Sequence, residues 1–473
     1  MVFSSVLFLF FFLPVTLFLY YLTGKKNKNL VALLASILFY AWGAPLFVFV
    51  IFGSIICDFI FAKYIHKSEG RKKRILLTLA ISLNVGILVY FKYSNFFIEN
   101  VNTMLFSLGF KEMHWVKIAL PIGISFFTFH EMSYIIDVYR GVKPPMKKIL
   151  NYALYILFFP QLIAGPIIRF NEISDQIEDR SYQFTADNNL LGFFRFVVGL
   201  AKKVLIANVL GAEADKIFAL GFDDLTTPLA WLGVVAYAFQ IYFDFSGYSD
   251  MAIGIARMMG FIFPENFNNP YISQSITEFW RRWHISLSRW MRDYLYISLG
   301  GNRVSVKRMY FNLVFVFLIS GFWHGAEWNF ILWGAFHGLF LIFDRLFLLK
   351  FLKKIGKIPS ILFTFFLTLM GWVLFRCENV VHIKYYFARL FDFHFSPTDL
   401  YFDTRFVVIL ALGIFFSFFG AFGTIEKWQE KVYASNQKNR NVIFLSVFSI
   451  FLFVICSAGV VSSGFNPFIY FRF

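Results

Sequence analysis

Apolar residues run through this chain in long blocks, broken by short polar segments. The blocks fall near 3–22, 30–43, 45–62, 75–93, 118–138, 149–165, 190–211, 229–243, 246–261, 309–323, 329–348, 359–376, 404–423 and 441–461. A helix needs about 20 apolar residues to cross the hydrocarbon of a bilayer. Several blocks are shorter and read as re-entrant, which is tolerated where protein surrounds the backbone. The pattern predicts an all-α, polytopic transmembrane bundle of about 11 crossings, with re-entrant and amphipathic interfacial helices. The first block, Phe3 to Leu22, has no basic segment before it and no small-x-small site after it. It reads as a retained helix rather than a cleaved signal peptide.

The polar segments carry their own pattern. Basic clusters sit at Lys25–Lys28, Lys63–Arg74, Arg140–Lys148, Arg281–Arg308, Lys350–Lys357 and Lys427–Arg440. Basic loops face the cytoplasm. Placing the clusters there puts both termini outside and turns the second and third blocks as a hairpin at Gly43-Ala44-Pro45. The whole chain, 1–473, reads as one integral-membrane domain, with N-terminal helices in 1–148, a core in 149–348 and C-terminal helices in 349–473. The core has broken runs, prolines and most of the intramembrane polar residues. Its acidic stretch 171–187 reads as a loop. No internal repeat is visible, which counts against a transporter built from inverted halves.

Composition sharpens this picture. Of the 473 residues, 59% are hydrophobic, 22% aromatic and 15% charged. A soluble domain carries about 25% charged residues, so this chain lacks the polar surface for water and its solvent is lipid. The net charge of +16 would suit nucleic acid if it formed a continuous patch. Here it is divided among loops between apolar runs, which argues against that partner. The same loops suit anionic headgroups or the phosphates of a cytosolic donor. Cys57, Cys377 and Cys456 are far apart, so neither a disulfide framework nor a metal site is expected. G-x-S-x-G and P-loop patterns are absent, which leaves hydrolase and ATPase readings without support.

Polar side chains at membrane depth are expensive, and each is a candidate for function. His324 lies in Gly321-Phe322-Trp323-His324-Gly325-Ala326. An imidazole exchanges protons near neutral pH, and the glycines allow close approach of a ligand to the backbone. The plainer reading is a histidine bonded to a backbone carbonyl within the bundle. In Trp280–Tyr296, residues Trp280, Trp283, Leu287, Trp290 and Tyr294 recur at helical steps. Arg281, Arg282, Arg289 and Arg292 fall opposite them. One amphipathic helix at the cytoplasmic face is expected, with His284 half-buried at the edge of its apolar stripe. Asp244, Ser246, Tyr248 and Asp250 stand in a long apolar region. Two carboxylates there need cations, hydroxyls or backbone donors; positioning a substrate and structural networking are both open. His130 and His337 read as satisfied polar packing.

Several stretches resemble the membrane-bound O-acyltransferase family, and within it the bacterial branch of alginate O-acetyltransferase membrane subunits. They are LPIGISFFTFHEMSYIIDVYRG (120–141), FPQLIAGPIIRF (159–170), FDFSGYSDMAIGIARMMGF (243–261), NFNNPYISQSITEFWRRWHISLSRWMRDYLYISLGGNR (266–303), SGFWHGAEWNFILWGAFHG (320–338) and FNPFIYF (465–471). The resemblance implies a helical fold with a thinned centre, where a cytoplasmic donor route meets an outward-facing funnel. It maps the family's catalytic histidine onto His324 and a second important one onto His284. Trp283, Arg282 and Trp323, inside the same motifs, become candidates for substrate binding. The donor it implies is a cytoplasmic thioester, acetyl-CoA or an acyl-carrier protein, with no bound cofactor. The implied partners are an extracytoplasmic acyltransferase and an envelope polysaccharide such as alginate, in a bacterial inner membrane. D-alanyl transfer to teichoic acid and peptidoglycan O-acetylation are the enzyme alternatives. A lipid-linked glycan transporter and a non-catalytic scaffold are the readings from other classes.

Overall fold

A computed structural model describes residues 1–396, 401–433 and 439–462, and every regular element among them is helical. Among the described residues, eight helices are long and apolar enough to cross a membrane. The terminal FNPFIYF motif lies outside the described residues. The chain divides into two compact units, one built mainly from residues 7–184 and the other mainly from 185–258 and 262 onward.

The first unit holds α1 (Leu13–Leu22), α2 (Lys28–Gly43), α3 (Phe47–Lys67), α4 (Gly70–Leu88), α5 (Ser94–Ser107), α6 (Ile124–Arg140), α7 (Ile149–Leu157), α8 (Phe159–Leu162) and α9 (Phe170–Glu178). Block 149–165 is not one helix. α7 stops before Pro160, because proline lacks an N–H and its ring collides with the carbonyl one turn back. The acidic stretch is not simply a loop either. Its first half is α9, started by reciprocal bonds between Arg169 and Glu172 and buried through Phe170, Ile173 and Ile177. The charge density there obscured this start, in which the Glu172 carboxylate accepts the Arg169 backbone N–H at 3.1 Å and its guanidinium at 2.5 Å, the acidic half of a capping box. Polar pairs link the longer helices. Asn84 donates to both carboxylate oxygens of Asp58 at 3.1 and 2.9 Å, and Ser54 donates to Glu131 at 2.6 Å. His130 accepts the Ile168 N–H at 3.3 Å.

The second unit holds α10 (Ala186–Ala201), α11 (Asn208–Phe218), α12 (Thr227–Met258), α13 (Ile276–Arg282), α14 (Ile285–Trp290), α15 (Val306–His324), α16 (Trp328–Phe343), α17 (Leu349–Ile355), α18 (Lys357–Arg376), α19 (Val380–Phe391), α20 (Thr404–Phe418), α21 (Gly423–Tyr433) and α22 (Asn439–Ser462). Blocks 229–243 and 246–261 are one helix, α12, 32 residues long. Asp244, which falls between the two blocks, is paired with Lys203 and does not interrupt it.

α10 and α12 touch backbone to backbone. A Cβ at Gly192 would stand 2.8 Å from the Gly254 carbonyl oxygen, and one at Gly254 2.5 Å from that of Gly192. Gly199 and Gly247 meet in the same reciprocal way, at 2.5 and 2.7 Å. Small residues let membrane helices approach this closely, where packing rather than the hydrophobic effect drives association. The approach fixes α12, and α12 carries one wall of the site.

Candidate active site

Residues 280–295 are two short helices rather than one. α13 ends at Arg282, and His284 takes a left-handed backbone conformation with φ 43° and ψ 54° before α14 begins. Such a conformation costs a non-glycine residue on the order of 1 kcal/mol or more. Two backbone bonds to the preceding loop hold it: Ile285 N–H to the Asn266 carbonyl at 2.9 Å, and Asn268 N–H to the Arg282 carbonyl at 2.9 Å. The expected stripe of Trp280, Trp283, Leu287, Trp290 and Tyr294 is buried. His284 is fully buried rather than half-buried at its edge, because the turn points its ring away from the stripe's surface and into the protein.

The His284 ring is held by an asparagine. Nδ1 lies 3.2 Å from Asn266 Oδ1, which also receives the Ser286 N–H at 3.2 Å and the Ser286 hydroxyl at 2.9 Å. The Asn266 amide nitrogen donates to Ser249 Oγ of α12 at 3.0 Å. A backbone N–H can only donate, so Oδ1 is the acceptor and His284 Nδ1 carries the proton. Nε2 is buried and has no partner among the described residues. Burial pushes the imidazole down to about 3, because a desolvated cation is disfavoured. His284 is therefore neutral near pH 7.

His324 ends α15. The rings of His284 and His324 stand 6.5 Å apart, centre to centre, and Trp323 lies 6.4 Å from His284. Phe245 of α12 packs edge-on against His284 at 4.7 Å. Trp333 and Phe375 pack edge-on against His324 at 5.1 and 5.4 Å. The glycines flanking His324 do not leave space for a ligand. A Cβ at Gly325 would stand 2.0 Å from the Phe330 ring, and one at Gly321 would stand 2.2 Å from the Phe330 carbonyl oxygen. They are required by the α15–α16 hairpin that aims His324.

A cleft of about 290 Å³ opens between α13–α14 and α15–α16. Arg292, Tyr296, Asn302 and Arg345 form its polar side, and Trp280, Val316, Phe317 and Leu341 its apolar side. Ser320 also lines it, four residues before His324 and so on the same face of α15. The cleft thus comes within one helical turn of His324.

The carboxylates of α12 face elsewhere. Asp244 pairs with Lys203 at 2.6 Å, both side chains almost wholly buried. Asp250 pairs with Arg195 at 2.6 Å and with Lys202 at 2.6 Å, and Arg195 continues to Glu265 at 2.5 Å. Tyr248 stacks on Phe3 at 4.4 Å. Ser246 is buried. Arg282 bonds Glu278 and Glu426 at 2.9 and 3.3 Å, and Trp283 stacks on Phe279 at 5.6 Å. The structure therefore gathers His284, His324 and Trp323, and sets the aspartates in a cation network along α10. His337 accepts the Trp280 indole N–H at 3.3 Å, consistent with polar packing. Sequence reasoning missed Asn266 and Ser249. The signal lay in the asparagine-rich loop before Pro270, since asparagine bonds readily to neighbouring backbone.

A buried imidazole beside a cleft suits proton transfer at a reacting carbonyl, and family comparison agrees. The family model for membrane-bound O-acyltransferases matches residues 76–381, a span that includes both histidines. The chain belongs to the membrane-bound O-acyltransferase family. Among curated relatives, it is 47% identical over 395 residues to a probable alginate O-acetylase, AlgI, of Pseudomonas aeruginosa, covering 83% of this chain and 75% of the relative. It is 40% identical over 417 residues to a peptidoglycan O-acetyltransferase of Helicobacter pylori, covering 80% and 78%. It is 33% identical over 251 residues to a teichoic acid D-alanyltransferase of Streptococcus thermophilus, covering 50% and 59%. As a membrane-bound O-acyltransferase, the protein is a membrane-embedded enzyme that transfers acyl groups to oxygen.

Proposed function

We propose that the enzyme takes an acetyl group from a cytoplasmic thioester and passes it toward hydroxyls of an extracytoplasmic polysaccharide, such as alginate. The observation that carries this reading is the cleft, with Arg292 and Arg345 in its lining and Ser320, also in the lining, one turn from His324. Guanidinium groups suit the phosphates of coenzyme A or of a carrier-bound pantetheine, and the apolar lining suits the thin arm and acyl group. Acetyl is favoured over D-alanyl because the two O-acetyl-transferring relatives align over 83% and 80% of the chain, against 50% for the D-alanyltransferase.

His324 is the general base in this reading. It takes the proton of the attacking hydroxyl as the oxygen bonds to the thioester carbonyl carbon. The tetrahedral adduct then expels the thiolate, and the same proton returns to sulfur. The hydroxyl belongs to the polysaccharide or to a separate extracytoplasmic transferase that carries the group onward. The basic segments 63–74 and 350–357 face the cytoplasm of an inner membrane, with the termini outside. An impermeant thiol reagent on intact cells should spare a cysteine placed at 68, and labelling there would overturn this orientation.

The donor assignment has a direct test. Purified protein in lipid should release thiol from acetyl-CoA when a hydroxyl acceptor is present. Arg345→Glu reverses a charge in the cleft, and the KM for acetyl-CoA should rise roughly tenfold or more, with kcat nearly unchanged. An unchanged KM would remove the donor from this cleft. Activity with a D-alanyl carrier thioester and none with acetyl-CoA would replace acetyl by D-alanyl.

A further inference from the structure

We infer that Asn266 is a positioning residue of the acyl transfer proposed above. It holds His284 as the Nδ1-protonated tautomer, so that Nε2 accepts a hydrogen bond from an O–H or N–H of the bound substrate. The inference rests on that reading of the reaction but concerns a residue to which it gives no role.

Four observations converge on it. Asn266 is 1% exposed, and all its side-chain bonds point one way: Oδ1 receives from Ser286 and His284, and Nδ2 gives to Ser249. The Ser286 N–H fixes the amide's orientation, which fixes the tautomer. The left-handed turn at His284 is a strained conformation, held where the same loop grips Ile285. Finally, Nε2 is a buried acceptor with no partner among the described residues. Buried polar atoms are nearly always bonded, and an orphan beside a reacting histidine calls for a substrate group. Nε2 has no proton to give in this tautomer, so His284 cannot donate to the oxyanion. Its role is to receive. The donor is the acceptor's hydroxyl or an amide N–H of the pantetheine arm, two sources of the same chemistry.

Asn266→Ala and Asn266→Asp test this in the full-length protein in lipid. The alanine variant frees the ring to take either tautomer, and kcat/KM should fall about 10²-fold, the lower end of what acid–base groups contribute. The aspartate variant still accepts from Nδ1 and from Ser286, so it should keep most activity wherever the imidazole stays neutral. Its new negative charge beside the imidazole favours the cation by about one pKa unit or more, and the acid limb of the pH profile should move up accordingly. A merely structural asparagine would not move that limb. A change confined to the acceptor KM identifies the hydroxyl as the donor, and one confined to the acetyl-CoA KM identifies the amide. An active, folded alanine variant, or an aspartate variant with an unmoved acid limb, overturns the inference. If the alanine variant does not accumulate, the aspartate variant decides alone. Histidine ¹⁵N spectra of the wild type, assigned with His284→Gln, read the tautomer independently of activity. An Nε2-protonated His284 would overturn the inference even if the wild type proved to transfer no acetyl group.

Discussion

Replacing His324 should reduce acyl transfer by about 10²–10⁴-fold, the usual contribution of a general base. His324→Ala also removes a ring packed edge-on by Trp333 and Phe375, so part of its effect would be instability. His324→Asn keeps much of the volume and a polar group but is not a base near neutral pH. Per folded molecule, both variants should lose transfer to the same degree, while the asparagine form melts closer to the wild type. The comparison is made on protein in lipid, following thiol release from acetyl-CoA beside thermal unfolding. A folded His324→Asn protein that turns over at the wild-type rate would end the assignment of His324 as base.

The second large effect concerns the ion pair between Lys203 and Asp244. Removing one member of a buried pair leaves a bare charge and typically destabilises by about 3–5 kcal/mol. Lys203→Met should therefore be poorly folded. Replacing both charges, as in Lys203→Met with Asp244→Leu, removes the uncompensated carboxylate, since apolar replacements of whole buried pairs are often neutral. Stability should return in the double variant, and acyl transfer with it, because Asp244 spends its charge on Lys203 at 2.6 Å. A double variant that folds well but transfers nothing would mean that Asp244 contacts substrate. Asp250 is held by Arg195 and Lys202 and should follow the same rule.

These experiments divide the molecule along a line that the sequence drew only partly. The amino-acid order by itself determined that the chain lives in lipid, because 15% charged residues cannot cover it in water. It determined the helical class, because the backbone must satisfy its own hydrogen bonds in hydrocarbon. It singled out His284 and His324, since ionisable groups at membrane depth are few, and the motifs around them carry the family. The tryptophan stripe was legible as one helical face, because periodicity survives a local break, but the sequence left open whether lipid or protein would cover it.

Other features were decided only by the tertiary structure, and each depends on a group that the chain brings back from beyond the helix concerned. α12 runs through Asp244 and Asp250 because α10 and the turn after it bring Arg195, Lys202 and Lys203 to neutralise them; hydropathy alone breaks the run at Asp244. The break at His284 depends on hydrogen bonds from a loop 18 residues earlier, which outweigh the helical preference of its neighbours. The glycines beside His324 read as room for a ligand, whereas the Phe330 backbone and ring occupy that space. Which nitrogen of His284 carries the proton is decided by one asparagine oxygen and the N–H groups around it. A linear pattern records what each residue prefers; the fold determines which group lies opposite it, and for buried charges and imidazoles that group sets their chemistry.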